Sequence, residues 1–197
     1  IFAAAVIISI IVKIILIPYN MMDMGDSATR VWNALWWAQN PFFILPESGH
    51  PLWFYFMGPI IKLTNELFIT SALTMIAVMT IACIYVFKLT LVLTDFKTAL
   101  LAFIIVTLNP VIFRLNFEPY AQQTYLASAC IMLYYFIKAL ASEKTVKYFI
   151  IAGIFSFLAL ASRPEAIFVI VPFCVLAFLT RKNGCCYYIG LSLFFQV

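Results

Sequence analysis

Hydrophobic positions along this chain come in long unbroken runs rather than in alternation with polar ones. Runs of about 20 apolar residues read as helices crossing a bilayer, whereas a membrane β-barrel alternates apolar and polar residues. Spans are predicted at about 1–18, 69–93, 98–115, 119–140, 147–162 and 165–181, with a further one entered at 186. The expected fold class is all-α: a polytopic membrane helical bundle of about six full transmembrane helices plus a truncated seventh, forming a single transmembrane domain over 1–197. The fifth and sixth spans are short, and Arg163-Pro164-Glu165 separates them, which suits a hairpin with its tip at the membrane boundary. Ile1 to Pro18 reads as a first membrane helix rather than a signal-peptide core, because no small-residue cleavage site is visible. The chain opens at Ile1 and stops at Val197 within an apolar run, so it reads as a fragment of a longer protein.

One long segment, about 19–68, interrupts the apolar pattern. Asp26-Ser27 can cap a helix running to about Gln39, since both side chains accept from the free N–H groups of a first turn. That helix carries Val31, Leu35 and Ala38 at helical spacing, with Trp32, Trp36 and Trp37 beside them. Indoles favour the headgroup layer, so the helix is expected to lie along the membrane surface. Asn40-Pro41 ends it. The turn-rich passage Pro46-Glu47-Ser48-Gly49-His50-Pro51 then leads to a second short aromatic helix, about Leu52 to Thr64. Two juxtamembrane helices would thus frame a pocket.

Composition agrees with this reading. The 197 residues are 65% hydrophobic, 17% aromatic and 10% charged, against about half apolar and a quarter charged in a soluble domain. A soluble enzyme, a disordered chain and a nucleic-acid-binding domain are excluded. The five cysteines lie in or beside apolar runs, without metal spacing to histidine, and read as packing residues.

The net charge of +4 matters less than its distribution. If the first span runs outward, one side carries Lys88, Lys97, Lys138, Lys144, Lys147, Arg181 and Lys182 against Asp95 and Glu143. The other carries Arg30, Lys62, Arg114 and Arg163 against Asp23, Asp26, Glu47, Glu66, Glu118 and Glu165. Lys13 lies inside the first span. Positive residues favour the cytoplasm, so the acid-rich side is expected to be extracytoplasmic, with 19–68 as its first loop.

Candidate chemistry sits on the acid-rich side. Asp26 reads either as a helix cap or, partly desolvated at the boundary, as a general base for an acceptor hydroxyl. Asp23 reads as solvated or as its partner; the Asp-x-x-Asp spacing differs from the Asp-x-Asp of many nucleotide-sugar enzymes, so no metal set is assigned and a divalent cation stays open. His50, the only histidine, reads as a structural hydrogen-bonding group or a ligand for phosphate or sugar hydroxyl. Arg114 and Glu118 bracket a short loop, either as a local ion pair or with Glu118 opening a helix and facing a pocket. In Arg163-Pro164-Glu165 the charges pair with each other, or Arg163 binds an anion such as a lipid phosphate.

The order of these features resembles the polytopic GT-C glycosyltransferases, in the branch of protein O-mannosyltransferases and lipid A aminoarabinose transferase. The resemblance rests on Asp26 opening a juxtamembrane helix, on His50-Pro51-Leu52, on Leu108-Asn109-Pro110, on Glu118-Pro119 and on Ser162-Arg163-Pro164-Glu165. It implies a polyprenyl- or dolichyl-phosphate sugar as donor, used at the extracytoplasmic face, and a lipid, glycan or protein acceptor. It implies Asp26 as the base or acceptor-orienting acid, with Glu118 in the same cavity, His50 near the donor and Arg163 at the donor phosphate. The commonest first-loop pattern is Asp-Glu; Asp26-Ser27 departs from it, and Asp23 is the candidate replacement.

The catalytic pair expected is therefore Asp26 and Glu118, with Asp23, Arg30, His50, Arg114, Arg163 and Glu165 as substrate-binding residues. The expected location is a multi-pass position in a bacterial plasma membrane or a eukaryotic endoplasmic reticulum, with membrane lipids but no nucleic acid as partners. Two rivals remain on the sequence: a transporter or lipid flippase, which predicts charges along a mid-membrane path, and a non-catalytic membrane subunit.

Overall fold

A computed structural model describes residues 1–19, 26–40, 51–118, 120–142, 145–180 and 184–193. Among them every regular element is helical: α1 (Phe2–Leu16), α2 (Asp26–Gln39), α3 (Pro51–Thr64), α4 (Phe68–Leu93), α5 (Phe96–Leu108), α6 (Pro110–Leu115), α7 (Ala121–Ala141), α8 (Thr145–Ser162), α9 (Ile167–Thr180) and α10 (Cys185–Leu193). Two 3-10 turns, Ile17–Tyr19 and Pro164–Ala166, follow α1 and α8. Four segments are long and apolar enough to cross a membrane: Phe2–Tyr19, Phe68–Leu93, Ala121–Ala141 and Thr145–Ser162. Phe96–Leu108 and Pro164–Thr180 are apolar but shorter.

The span expected over 98–115 is not continuous. Pro110 has no N–H to continue a helix, so α5 stops at Leu108 and α6 starts afresh. Asn109 caps the new start, its Oδ1 accepting from Val111 N at 3.0 Å and Ile112 N at 3.2 Å. The break therefore leaves fewer backbone donors unpaired, a requirement wherever water is scarce.

Hydroxyls inside α4 are handled in a similar way. Ser71, Thr74 and Thr80 each donate to the carbonyl four residues back, at 2.6, 2.7 and 2.7 Å. Bonded within their own helix, they need no partner from lipid.

The helices pack in three groups. The largest joins α7, α8, α9 and α10 around Phe136, whose ring meets Phe149 at 5.5 Å, Phe173 at 4.9 Å and Tyr188 at 5.0 Å. Small residues let these helices approach: Ala139, Ala152 and Ala159 are buried, and a Cβ at Gly153 would come within 2.9 Å of Leu191 on α10. A second group packs α1 against α4 and α5, where Phe2 stacks on Phe87 at 3.8 Å. The third joins α2, α3 and the start of α4 through Val31, Ala34, Phe54, Met57, Ile61 and Met75. Of the cysteines expected to pack, Cys83, Cys130 and Cys174 are buried, whereas Cys185 is half-buried and Cys186 is exposed.

Helices α2 and α3 cross closely at Gly58. A Cβ on Gly58 would lie 2.7 Å from the carbonyl oxygen of Ala34 and 3.0 Å from the Trp37 ring. Gly58→Val is expected to force the two helices apart and lower stability by about 1–3 kcal/mol, read as a fall in the detergent unfolding midpoint of the full chain.

Asp95 joins α4 to α5 as an N-cap, accepting from Thr98 N at 2.9 Å. That backbone hydrogen bond holds its carboxyl below the ordinary value. A depressed folded pKa gives stability that is present above the unfolded pKa and lost as pH falls through the folded one. Amide exchange in the first turn of α5, relative to the intrinsic rate, should therefore rise over that acid range. Asp95→Asn should abolish the dependence.

Candidate active site

The acid-rich ends of the helices gather three connections. The first is the pair α2 and α3. On α2 the buried stripe is Val31, Ala34 and Ala38, with Leu35 at its edge. Trp32 and Trp36 are exposed, while Trp37 packs edge-on to Tyr55 of α3 at 4.7 Å. Lys62 of α3 donates to the Ala38 carbonyl at 3.0 Å. A cation at that last turn satisfies a free carbonyl and complements the helix dipole.

The second connection runs from α6 to α7. Arg114 Nε donates to Glu118 Oε1 at 2.7 Å; the Arg114 side chain is 70% exposed and that of Glu118 only 10%. The acid is thus held inward by a cation that reaches outward. Two buried amides shape the loop. Asn116 Nδ2 donates to the carbonyls of Ile112 and Phe113 at 2.7 and 2.9 Å, and Gln123 Nε2 donates to those of Leu115 and Glu118. Each NH2 group faces two carbonyls, which fixes the amide orientation. The expectation that Glu118 opens a helix is corrected here: α7 begins at Ala121, and Glu118 lies in the turn before it, its carbonyl taken by Tyr120 N and by Gln123.

The third connection is the turn after α8. Arg163 leaves the helix with an extended backbone and pairs with Glu165 through two hydrogen bonds, Nη2–Oε1 at 3.0 Å and Nε–Oε2 at 3.3 Å. The local pairing read from the sequence is therefore present. Arg163 is about a third exposed and Glu165 more than half.

These connections touch. Arg30 of α2 sits over the Tyr120 ring at 5.8 Å, which brings the first-loop helix onto the loop that holds Glu118. Asp26 stands one turn before Arg30 on the same helix. Helix α3 packs on α2, on α4 and on α8, whose last residue precedes Arg163. Helix α8, which ends just before Arg163, also packs on α7, which follows the Glu118 loop. Asp23 and His50 lie outside the described residues, as does the side chain of Asp26. Among the described residues no group of three His, Cys, Asp or Glu side chains is placed to hold a metal.

An apolar cavity of about 310 Å³ opens beside this region, between α1 and α5–α6. Ser9, Val12, Phe103 and Thr107 line it, and Phe113 closes one end, next in sequence to Arg114. Its lining suits hydrocarbon rather than sugar. Behind it, Lys13 of α1 is 2% exposed and lies near Cys83 of α4.

Sequence reasoning missed Gln123 and Asn116 as loop-forming residues. The available signal was two amides flanking an acid, Asn116 and Gln123 around Glu118, where apolar residues would otherwise run on.

Helices apolar enough to cross a bilayer, carrying charged pairs at one end, define the class: an integral membrane protein. Residues 46–194 match the dolichyl-phosphate-mannose-protein mannosyltransferase family, and the chain belongs to it. That family places it among membrane glycosyltransferases. No curated protein matches, and no solved structure matches.

Gln123→Glu keeps the side-chain shape but turns a donor into an acceptor facing two carbonyls. Thermal unfolding of this variant should show a loss of about 1–3 kcal/mol, with faster amide exchange confined to 114–124. An unchanged midpoint would mean that Gln123 does not hold the loop.

Proposed function

We propose that the protein transfers mannose from a polyprenyl-phosphate-linked donor to a hydroxyl acceptor at its acid-rich, extracytoplasmic end. The observation that carries this reading is the contact of Arg30 with Tyr120. It joins the helix that begins at Asp26 to the loop that buries Glu118, which supports a single site served by acids far apart in sequence.

In the proposed reaction, Asp26 takes the proton of the acceptor hydroxyl as its oxygen attacks the anomeric carbon. The bond from that carbon to the phosphate oxygen breaks, and the polyprenyl phosphate leaves with the electron pair. Positive charge builds on the sugar ring, and Glu118 stabilises it. Arg163 meets the leaving phosphate, as a fork-shaped donor suits an anion better than a point charge does. Direct attack inverts the sugar carbon. Asp23 and His50 complete the donor side, with Arg30, Arg114 and Glu165 positioning them. The apolar cavity lined by α1 and α5–α6 supports a lipid-linked donor, because its lining suits a hydrocarbon chain. The acceptor is a protein, glycan or lipid hydroxyl, and the family's name favours a protein.

The test is mannosyl transfer by the full chain in detergent, with polyprenyl-phosphate mannose as donor. Asp26→Asn and Glu118→Gln should each lower kcat by about a hundredfold or more. Arg163→Ala should chiefly raise the KM for donor. Wild-type rates in both acid variants would sink the assignment.

A further inference from the structure

The opposite, lysine-rich end of the bundle carries a second cluster that the transfer reading does not use. Tyr85 and Lys88 come from α4, Tyr134, Tyr135 and Lys138 from α7, and Tyr148 from α8. The rings contact one another across the three helices: Tyr85–Tyr134 at 5.5 Å, Tyr85–Tyr135 at 6.1 Å, Tyr134–Tyr135 at 5.0 Å and Tyr135–Tyr148 at 5.9 Å. Lys88 Nζ stands 4.6 Å from the Tyr85 centroid. Lys138 Nζ lies between Tyr134 and Tyr148, at 5.5 and 5.0 Å from their centroids, and donates to the Tyr134 hydroxyl at 3.3 Å.

Three features set this cluster apart from separate aromatic anchors with snorkelling lysines. The tyrosines face each other rather than standing apart around the bundle. Neither ammonium pairs with a carboxylate among the described residues, so the positive charge meets ring faces and, for Lys138, the Tyr134 hydroxyl. The two lysines and Tyr148 also sit at headgroup depth: Lys88 precedes the end of α4 at Leu93, Lys138 the end of α7 at Ala141, and Tyr148 follows the start of α8 at Thr145. With a rise of about 1.5 Å per residue, these positions lie within about 8 Å of the helix ends.

The side chains offer two cations and phenolic donors, and no acid. That is an anion site. At this depth the anion is a lipid phosphate. A zwitterionic headgroup brings its own ammonium against two lysines, whereas an anionic phospholipid brings net negative charge. We propose that Lys88, Lys138 and the four tyrosines bind the phosphate of an anionic phospholipid in the leaflet at the lysine-rich end, which the positive-inside rule makes cytoplasmic. The bound lipid ties α4, α7 and α8 together at the end remote from Arg30, Glu118 and Arg163.

The test uses the full chain in phosphatidylcholine nanodiscs, with or without phosphatidylglycerol, and no sugar donor. Phosphatidylglycerol should raise the wild-type Tm by several degrees. Each lysine near the surface is worth about fivefold in anionic-lipid affinity, so Lys88→Gln with Lys138→Gln should weaken phosphatidylglycerol retention in native mass spectrometry by about 20-fold and remove most of the Tm increment. Tyr134→Phe keeps the rings, removes one hydroxyl and should lose retention a few-fold; it carries the test if the double variant does not fold. An equal increment in phosphatidylcholine alone, an undiminished increment in the variants, or the same increment from inorganic phosphate at matched ionic strength would overturn the proposal. None of these readouts depends on transfer activity, so failure here leaves the transfer reading standing, and the reverse also holds.

Discussion

A chain that lives in hydrocarbon must pair its own backbone polar groups, and the rest of this structure depends on that constraint. It explains why helices are the only regular elements among the described residues. It also explains how interruptions are tolerated. At Asn109-Pro110 the asparagine side chain takes two of the new helix's free N–H groups. Along α4 the hydroxyls turn back on their own helix. In the first turn of α7, Gln123 closes the preceding loop by donating to the carbonyls of Leu115 and Glu118. Polar side chains here serve the backbone first.

Packing of α7 against α8 then sets the distance between the chemical groups. Phe136 stands at the centre, touching rings from α8, α9 and α10. Close-packed aromatic contacts resist sliding, because a small displacement leaves gaps that neighbours cannot fill. At one end of this pair lie Glu118, just before α7, and Arg163, just after α8. At the other end lie Tyr134, Tyr135 and Tyr148. One packed interface thus holds both the acid and arginine groups and the tyrosine–lysine cluster in place.

The two ends differ in how charge is balanced. At the acid-rich end, Arg114 pairs with Glu118 and Arg163 with Glu165. Such pairs fix the direction of the carboxylate, while a guanidinium that reaches solvent keeps donors for an anion. At the other end, Lys88 and Lys138 lie on ring faces. Paired charges suit a site where acid and anion chemistry meet, and unbalanced cations suit adhesion to a negative surface.

Helix positions follow from local residue pattern alone. Apolar runs, the helix from Asp26 to Gln39 and the aromatic helix before Thr64 were legible because each depends on local composition and on the need to pair backbone groups within the segment. The Arg163–Glu165 pair was legible for the same reason: its partners are two residues apart. The break at Asn109-Pro110 was visible in the residues but was read through, since an apolar run on both sides hides it. The remaining features arise from packing between helices. That Arg30 reaches Tyr120, that Gly58 sets the α2–α3 distance, that Glu118 is buried beside an exposed arginine, and that Tyr85 meets Tyr135 all depend on which helix faces join. Facing is a property of packing between distant segments, and polarity cannot tell one face of a helix from another where nearly every residue is apolar. In a membrane bundle, composition fixes which segments are helical; close fit between helices fixes which side chains meet.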